Sequence, residues 1–144
     1  YARRDGSFLT LEVDSELPHD LIDCLIYYDK KFSAVADIGA GSRQIIKVDL
    51  AKLKKKEIFD DHQADRLVRN FYGNGSNDYL ETVQQHLAPD ILLAIHAKYK
   101  SRPDSMILIG WMNAGLIQPE FDQSGPPGTG ITAINWELPV EITL

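Results

Sequence analysis

Hydrophobic and polar residues alternate most clearly at the end of the chain. Ile134, Trp136, Leu138, Val140, Ile142 and Leu144 are separated by Asn135, Glu137, Pro139, Glu141 and Thr143. A period of two sustained that long predicts a strand with one buried face. Pro139 has no N–H to give to a ladder, so the strand is expected at a sheet edge or bulged there. Leu9, Leu11 and Val13 alternate with Thr10, Glu12 and Asp14, and Ile46, Val48 and Leu50 repeat the period. Both stretches predict half-buried strands. Residues 106–112 form a short continuous apolar run, which predicts a buried strand.

Elsewhere the period is helical. Leu21, Leu25, Tyr28 and Phe32 recur at spacings of four, three and four, with Ile22 and Ile26 beside them. This predicts an amphipathic helix over residues 18–32, with Pro18 in its first turn. A second helix is predicted from Asp60 or Asp61, where acids suit a first turn, through Ala64, Leu67, Val68 and Phe71 to a stop at Gly73. A third is capped by Ser76 or Asn77 and turns Leu80, Val83 and Leu87 inward. A fourth runs from Pro89 and Asp90 to about Lys100. Gly39-Ala40-Gly41 reads as a turn, and residues 113–130, rich in Gly, Pro and Gln, as a loop. Together these predict an α+β fold, a mostly antiparallel sheet of about four strands packed against three or four helices. No repeat or shift in composition divides residues 1–144, so one domain is expected.

Composition narrows the function. Apolar residues at 44 % and charged residues at 25 % are globular proportions, which excludes disorder over most of the chain. The net charge of −6 gives the whole domain no pull toward nucleic acid or anionic lipid, and only a local basic patch could supply one. The single cysteine, Cys24, excludes an internal disulfide and a cysteine-rich metal site, and points to a reducing, cytoplasmic location. No apolar run reaches the roughly 18 residues of a membrane span, and no signal peptide opens the sequence. The start at Tyr1 rather than Met suggests a processed chain or a fragment.

Two glycine-rich stretches invite a catalytic reading. Gly125-Pro126-Pro127-Gly128-Thr129-Gly130-Ile131-Thr132 resembles the phosphate loop of AAA-type ATPases, but Ile131 stands where the phosphate-binding lysine belongs and a strand follows instead of a helix. Asp37-Ile38-Gly39-Ala40-Gly41 resembles the cofactor turn of S-adenosylmethionine-dependent methyltransferases. Arg43 replaces the next glycine, and a strand again follows. Asp60, Asp61, His62 and Asp65 form the densest ionisable cluster and suit a helix first turn better than a cation site. His86, Asp90 and His96 lack the spacing of a zinc helix, and Cys24 falls on an apolar face. No catalytic residue, cofactor site or metal site is therefore expected. The compact basic patch is Lys52, Lys54, Lys55 and Lys56, followed by Ile58 and Phe59; Lys98, Lys100 and Arg102 form a looser one. Basic residues beside exposed apolar ones suit a membrane or partner surface.

A strand over residues 7–14, a helix over 18–32, the glycine turn Ile38-Gly39-Ala40-Gly41-Ser42-Arg43 and a strand over 45–50 follow an order that resembles the core of rhabdovirus matrix proteins. That resemblance covers about a third of the chain. It implies a non-enzymatic protein that self-associates and contacts nucleocapsid and membrane within a virion. The leading expectation is thus a non-catalytic interaction or assembly domain without cofactor. Its partner would be a protein, another copy of itself included, with an anionic membrane surface or nucleocapsid as further contacts and no sequence-specific nucleic acid. Lys52, Lys54, Lys55, Lys56, Ile58 and Phe59 would form one contact surface and the 113–130 loop a second. The alternatives are a degenerate methyltransferase-like domain around residues 37–41, and an acidic immunity or regulatory protein acting through its net charge.

Overall fold

The computed structural model describes residues 1–73, 79–112 and 131–143. Seven strands occur in chain order: β1 (Ala2–Asp5), β2 (Phe8–Asp14), β3 (Ile22–Tyr28), β4 (Lys31–Ala34), β5 (Arg43–Asp49), β6 (Ser105–Met112) and β7 (Thr132–Thr143). Among the described residues two helices, α1 (Asp61–Tyr72) and α2 (Tyr79–Tyr99), lie between β5 and β6, and a 3-10 turn spans Leu50–Lys52. The strands form one sheet in the order β4-β3-β6-β7-β1-β2-β5, curled into a half-barrel. Every pairing is antiparallel except β1 with β7.

This corrects the expected architecture of about four strands and three or four helices. Four of the seven strands lie where alternation or an apolar run places them; β1, β3 and β4 do not. The predicted helix over 18–32 is instead the β3–β4 hairpin. Its turn residues Asp29 and Lys30 both have positive φ, 49° and 63°, which suits the twist of a two-residue hairpin loop. The helical spacing there was a coincidence of double burial. Cys24, Ile26 and Tyr28 face one core, Leu25 and Tyr27 face the other, and so no polar position marks the period of two. The two helices predicted over 77–100 are one. Pro89 sits inside α2 while Gln84, Ala88, Leu92, Ile95 and Tyr99 carry a continuous buried stripe past it. Packing of that stripe offsets the one backbone bond a proline removes. The proposed caps Ser76 and Asn77, and Leu144, lie outside the described residues.

Two cores follow from the curl. Inside it, Leu9, Leu11, Ile46, Val48, Met106, Leu108 and Val140 meet Leu21, Ile38 and Leu50. Gly110 lies on this inner side because a Cβ there would run into the Leu21 side chain. Outside it, the helices cover only part of the sheet. Ala64, Leu67, Val68, Tyr72, Ala88, Leu92 and Ile95 pack on Leu25, Tyr27, Phe32, Ile107, Ile109 and Trp111. Helix α1 begins cleanly: the Asp60 carboxylate accepts from the Gln63 N–H at 2.9 Å, and the Gln63 amide oxygen accepts from the Phe59 N–H at 2.6 Å. Gly73, at φ 88°, ends it.

Pro139 does not put β7 at an edge, because β7 lies between β6 and β1. Pairing with β6 ends at Ser105 opposite Pro139, and pairing with β1 begins at Ala2 opposite Val140. Proline thus occupies the point where the strand passes from one neighbour to the other, and the Val140 N–H is satisfied by the Asp104 carbonyl at 2.7 Å. A missing donor is tolerated there.

Candidate binding groove between the sheet edges

The half-barrel stops short of closing, and its two end strands, β4 and β5, line one groove of about 520 Å³. Residues 33–36 form one wall, residues 44–49 the other, and Lys52 and Leu53 close one end. The backbone phase of each edge follows from the ladders. Leu50 N–H donates to the Ser7 carbonyl and Ser15 N–H to the Ser42 carbonyl. In an antiparallel pair the bonded residues alternate, so Gln44, Ile46 and Val48 are bonded to β2. Arg43, Ile45, Lys47 and Asp49 therefore turn their N–H and C=O groups toward the groove. Val35 N–H donates to the Cys24 carbonyl, which in the same way leaves Phe32 and Ala34 unpaired by β3, the Ala34 carbonyl accepting from the Ser33 hydroxyl at 3.2 Å.

Side chains divide by the same alternation. Ile46 and Val48 face the inner core, with Val35 and Leu53 packed against it. On the outer side of β5 stand Arg43, Ile45, Lys47 and Asp49, and no helix among the described residues covers them. Ile45 is 71 % exposed, a large apolar side chain on an open strand. Its neighbours in β2 are Glu12 opposite Ile45, Asp14 opposite Arg43 and Thr10 opposite Lys47. The Lys47 ammonium lies 4.3 Å from the centre of the Phe8 ring. Asp49 accepts from the Ala51 N–H at 3.0 Å and lies 4.0 Å from the Lys52 ammonium, so its charge is engaged locally.

The basic segment singled out from the sequence runs away from this groove toward the helices. Lys52 lines the groove; Lys55 approaches Asp29 at 3.8 Å; Lys54 and Lys56 are exposed, and the Lys56 N–H donates to the Lys30 carbonyl. Phe59 is 72 % exposed, whereas Ile58 is buried in the outer core and belongs to no exposed face. Glu57, between Lys56 and Ile58, fastens the segment. It meets Lys30 at 3.1 Å and the His96 ring at 3.2 Å, and the other His96 nitrogen bonds the Tyr27 hydroxyl at 3.0 Å. Hydrogen bonding to Lys30, then to His96, holds the Glu57 carboxyl below its ordinary range. Burial pushes the Tyr27 hydroxyl up to about 12. The row is closed off, with His96 and Tyr27 buried, and serves to tie the segment to α2.

The remaining sequence candidates fall apart in space. Residues 37–41 turn between β4 and β5, and three of their amides are occupied: Ile38 N–H donates to the Leu21 carbonyl at 2.8 Å, Gly39 N–H to the Gln44 side chain at 2.9 Å and Ala40 N–H to Asp20 at 2.8 Å. Asp60 caps α1 and His62 lies beside Arg66. Among the described residues no group of three or more His, Cys, Asp or Glu could hold a metal ion. Cys24 is buried, and desolvation raises its thiol to about 12. Residues 113–130, including most of the stretch that resembles a phosphate loop, lie outside the described residues. No helix among the described residues is long and apolar enough to cross a membrane.

Over residues 2–141 the chain matches the family described as Domain of unknown function (DUF8725), and it belongs to that family. No curated protein and no solved structure matches it.

Proposed function

We propose that the chain is a non-catalytic interaction domain that takes an extended segment of a protein partner into the groove between β4 and β5. One observation carries the reading. Two strand edges with backbone groups that no neighbouring strand pairs line the same groove. Main-chain bonds supply affinity in such strand addition, and alternate side chains supply selectivity. Exposed edges are otherwise a liability that proteins cover or blunt. A displayed library of short peptides, followed by NMR titration of the binders, tests the reading. Binders are expected to shift the Ile45 and Lys47 amides; a library without binders, or binders that leave both amides unmoved, rejects it.

The exposure of Phe59 beside Lys54 and Lys56 favours a second reading, contact with an anionic membrane. Basic residues near a surface add about 1 kcal/mol each toward anionic lipid. Co-sedimentation with vesicles containing phosphatidylserine, lost in Phe59→Ala, supports it; no co-sedimentation removes it.

A further inference from the structure

Resting on the membrane reading, we infer that a polar pocket beside α1 takes the phosphomonoester headgroup of an anionic lipid such as phosphatidic acid. The pocket measures about 180 Å³ and lies between residues 56–58 and one flank of the helix. Gln63, Arg66 and Asn70 line it at spacings of three and four, so they share that flank. Lys56 lines it from the preceding segment. Each of these four side chains can donate: an ammonium, a guanidinium and two amides. The Gln63 amide oxygen is taken by the Phe59 N–H at 2.6 Å, which leaves that side chain its NH₂ group to offer. Phosphate oxygens accept from such groups, and an arginine can meet two of them at once.

The acids nearby are engaged or turned away. Glu57 also lines the pocket, but its carboxylate meets Lys30 at 3.1 Å and His96 at 3.2 Å. Asp60 caps the helix through the Gln63 N–H. Asp61 and Asp65 lie roughly half a turn round α1 from Gln63, Arg66 and Asn70. Neither Lys56 nor Arg66 forms an ion pair among the described residues; Arg66 touches the His62 ring at 3.3 Å. Recognition thus rests on donors in direct contact, which the net charge of −6 leaves in place. Phe59 ties the phosphate to a lipid. Its side chain is 72 % exposed while its N–H is bonded to Gln63 of the pocket, so a ring free to enter the acyl boundary stands beside the phosphate donors. Phosphatidic acid ends in its phosphate and shows three acceptor oxygens, whereas the phosphate of phosphatidylserine bridges to serine and shows two.

The test uses the full chain and phosphatidylcholine vesicles carrying either phosphatidic acid or phosphatidylserine, the two matched in surface potential. Co-sedimentation is expected to show roughly tenfold tighter binding to the phosphatidic acid vesicles, the worth of one charge-assisted hydrogen bond. Two variants keep the net charge and alter only the donors: Arg66→Lys loses the fork, and Asn70→Leu loses an amide. Both residues are exposed on α1, so the fold should stand. Each variant should bring phosphatidic acid binding down toward the phosphatidylserine level and leave phosphatidylserine binding unchanged. Equal binding of the parent chain to both vesicles, or variants that keep its preference, overturns the headgroup inference and leaves the membrane reading standing. Binding to neither overturns both. Calorimetric binding of a phosphoserine peptide by a chain that ignores both vesicles assigns the pocket to a phosphoprotein and likewise overturns the inference.

Discussion

Around β3 and β6 the sheet is buried on both faces; around β2 and β5 it is buried on one. All eight residues of β6 are buried, between the inner core and the two helices. Along β5, Ile46 and Val48 are buried while Arg43, Ile45 and Lys47 are exposed. The first half gains apolar burial from two sides and loses tolerance, since any change of shape meets packed atoms. The second half keeps one free face and one free edge, and there the chain has room to meet another molecule. Double burial thus belongs to the β3–β6 part of the sheet and the open face to the β2–β5 part.

That contrast can be broken by substitution. The largest effect is expected from Trp111→Ala, which empties a fully buried site between β6 and Tyr72 and should cost about 3–5 kcal/mol in urea unfolding. A loss under 1 kcal/mol, on the order expected of a surface site, would erase the distinction between the halves. Gly110→Ala drives a methyl group into Leu21 and should cost about 1–3 kcal/mol. His96→Ala takes from the buried Tyr27 hydroxyl its His96 partner and leaves Glu57 held by Lys30 alone, with a comparable loss of about 1–3 kcal/mol. It should also raise proteolysis within residues 52–59, which mass spectrometry would locate.

A pH titration sharpens the contrast from another side. The Cys24 thiol ionises near 9.0 when unfolded and only near about 12 when folded. The unfolded chain therefore releases its proton first as pH rises. Stability from the neutral thiol is complete below 9.0 and declines toward about 12, and Tyr27 adds the same sign from 10.0 upward. Urea midpoints should fall across that window, less steeply in Cys24→Ala. The smallest effect belongs to Ile45→Ala, about 0.5 kcal/mol or less, because its side chain is already in water.

What the sequence disclosed follows the same division. Strands with one wet face, β2, β5 and β7, announce themselves by alternation. The β3–β4 hairpin is sealed between two cores and mimics a helix, although Asp29-Lys30 between the aromatic residues Tyr28 and Phe32 marked a turn. The four residues of β1 are too few to show a period, and Arg3, Arg4 and Asp5 hide them. Of the predicted contact residues, Lys52 reaches the groove, and Ile58 is drawn inward because it follows the Glu57 tether. The groove itself left no mark in sequence, since it consists of backbone groups whose freedom depends on strand order.

Strand β7 is the last of the seven to leave the ribosome, yet it sits at the centre of the sheet. Until it arrives, β6 on one side and β1 on the other have no neighbour to join them. The nascent chain must therefore hold two incomplete sheet fragments, and closure links residue 2 to residue 140 in a single late step. Such long-range pairing is intrinsically slow. A ribosome stalled before Thr132 would display a chain with raw strand borders, and chaperone engagement should peak there and vanish once Val140 has emerged.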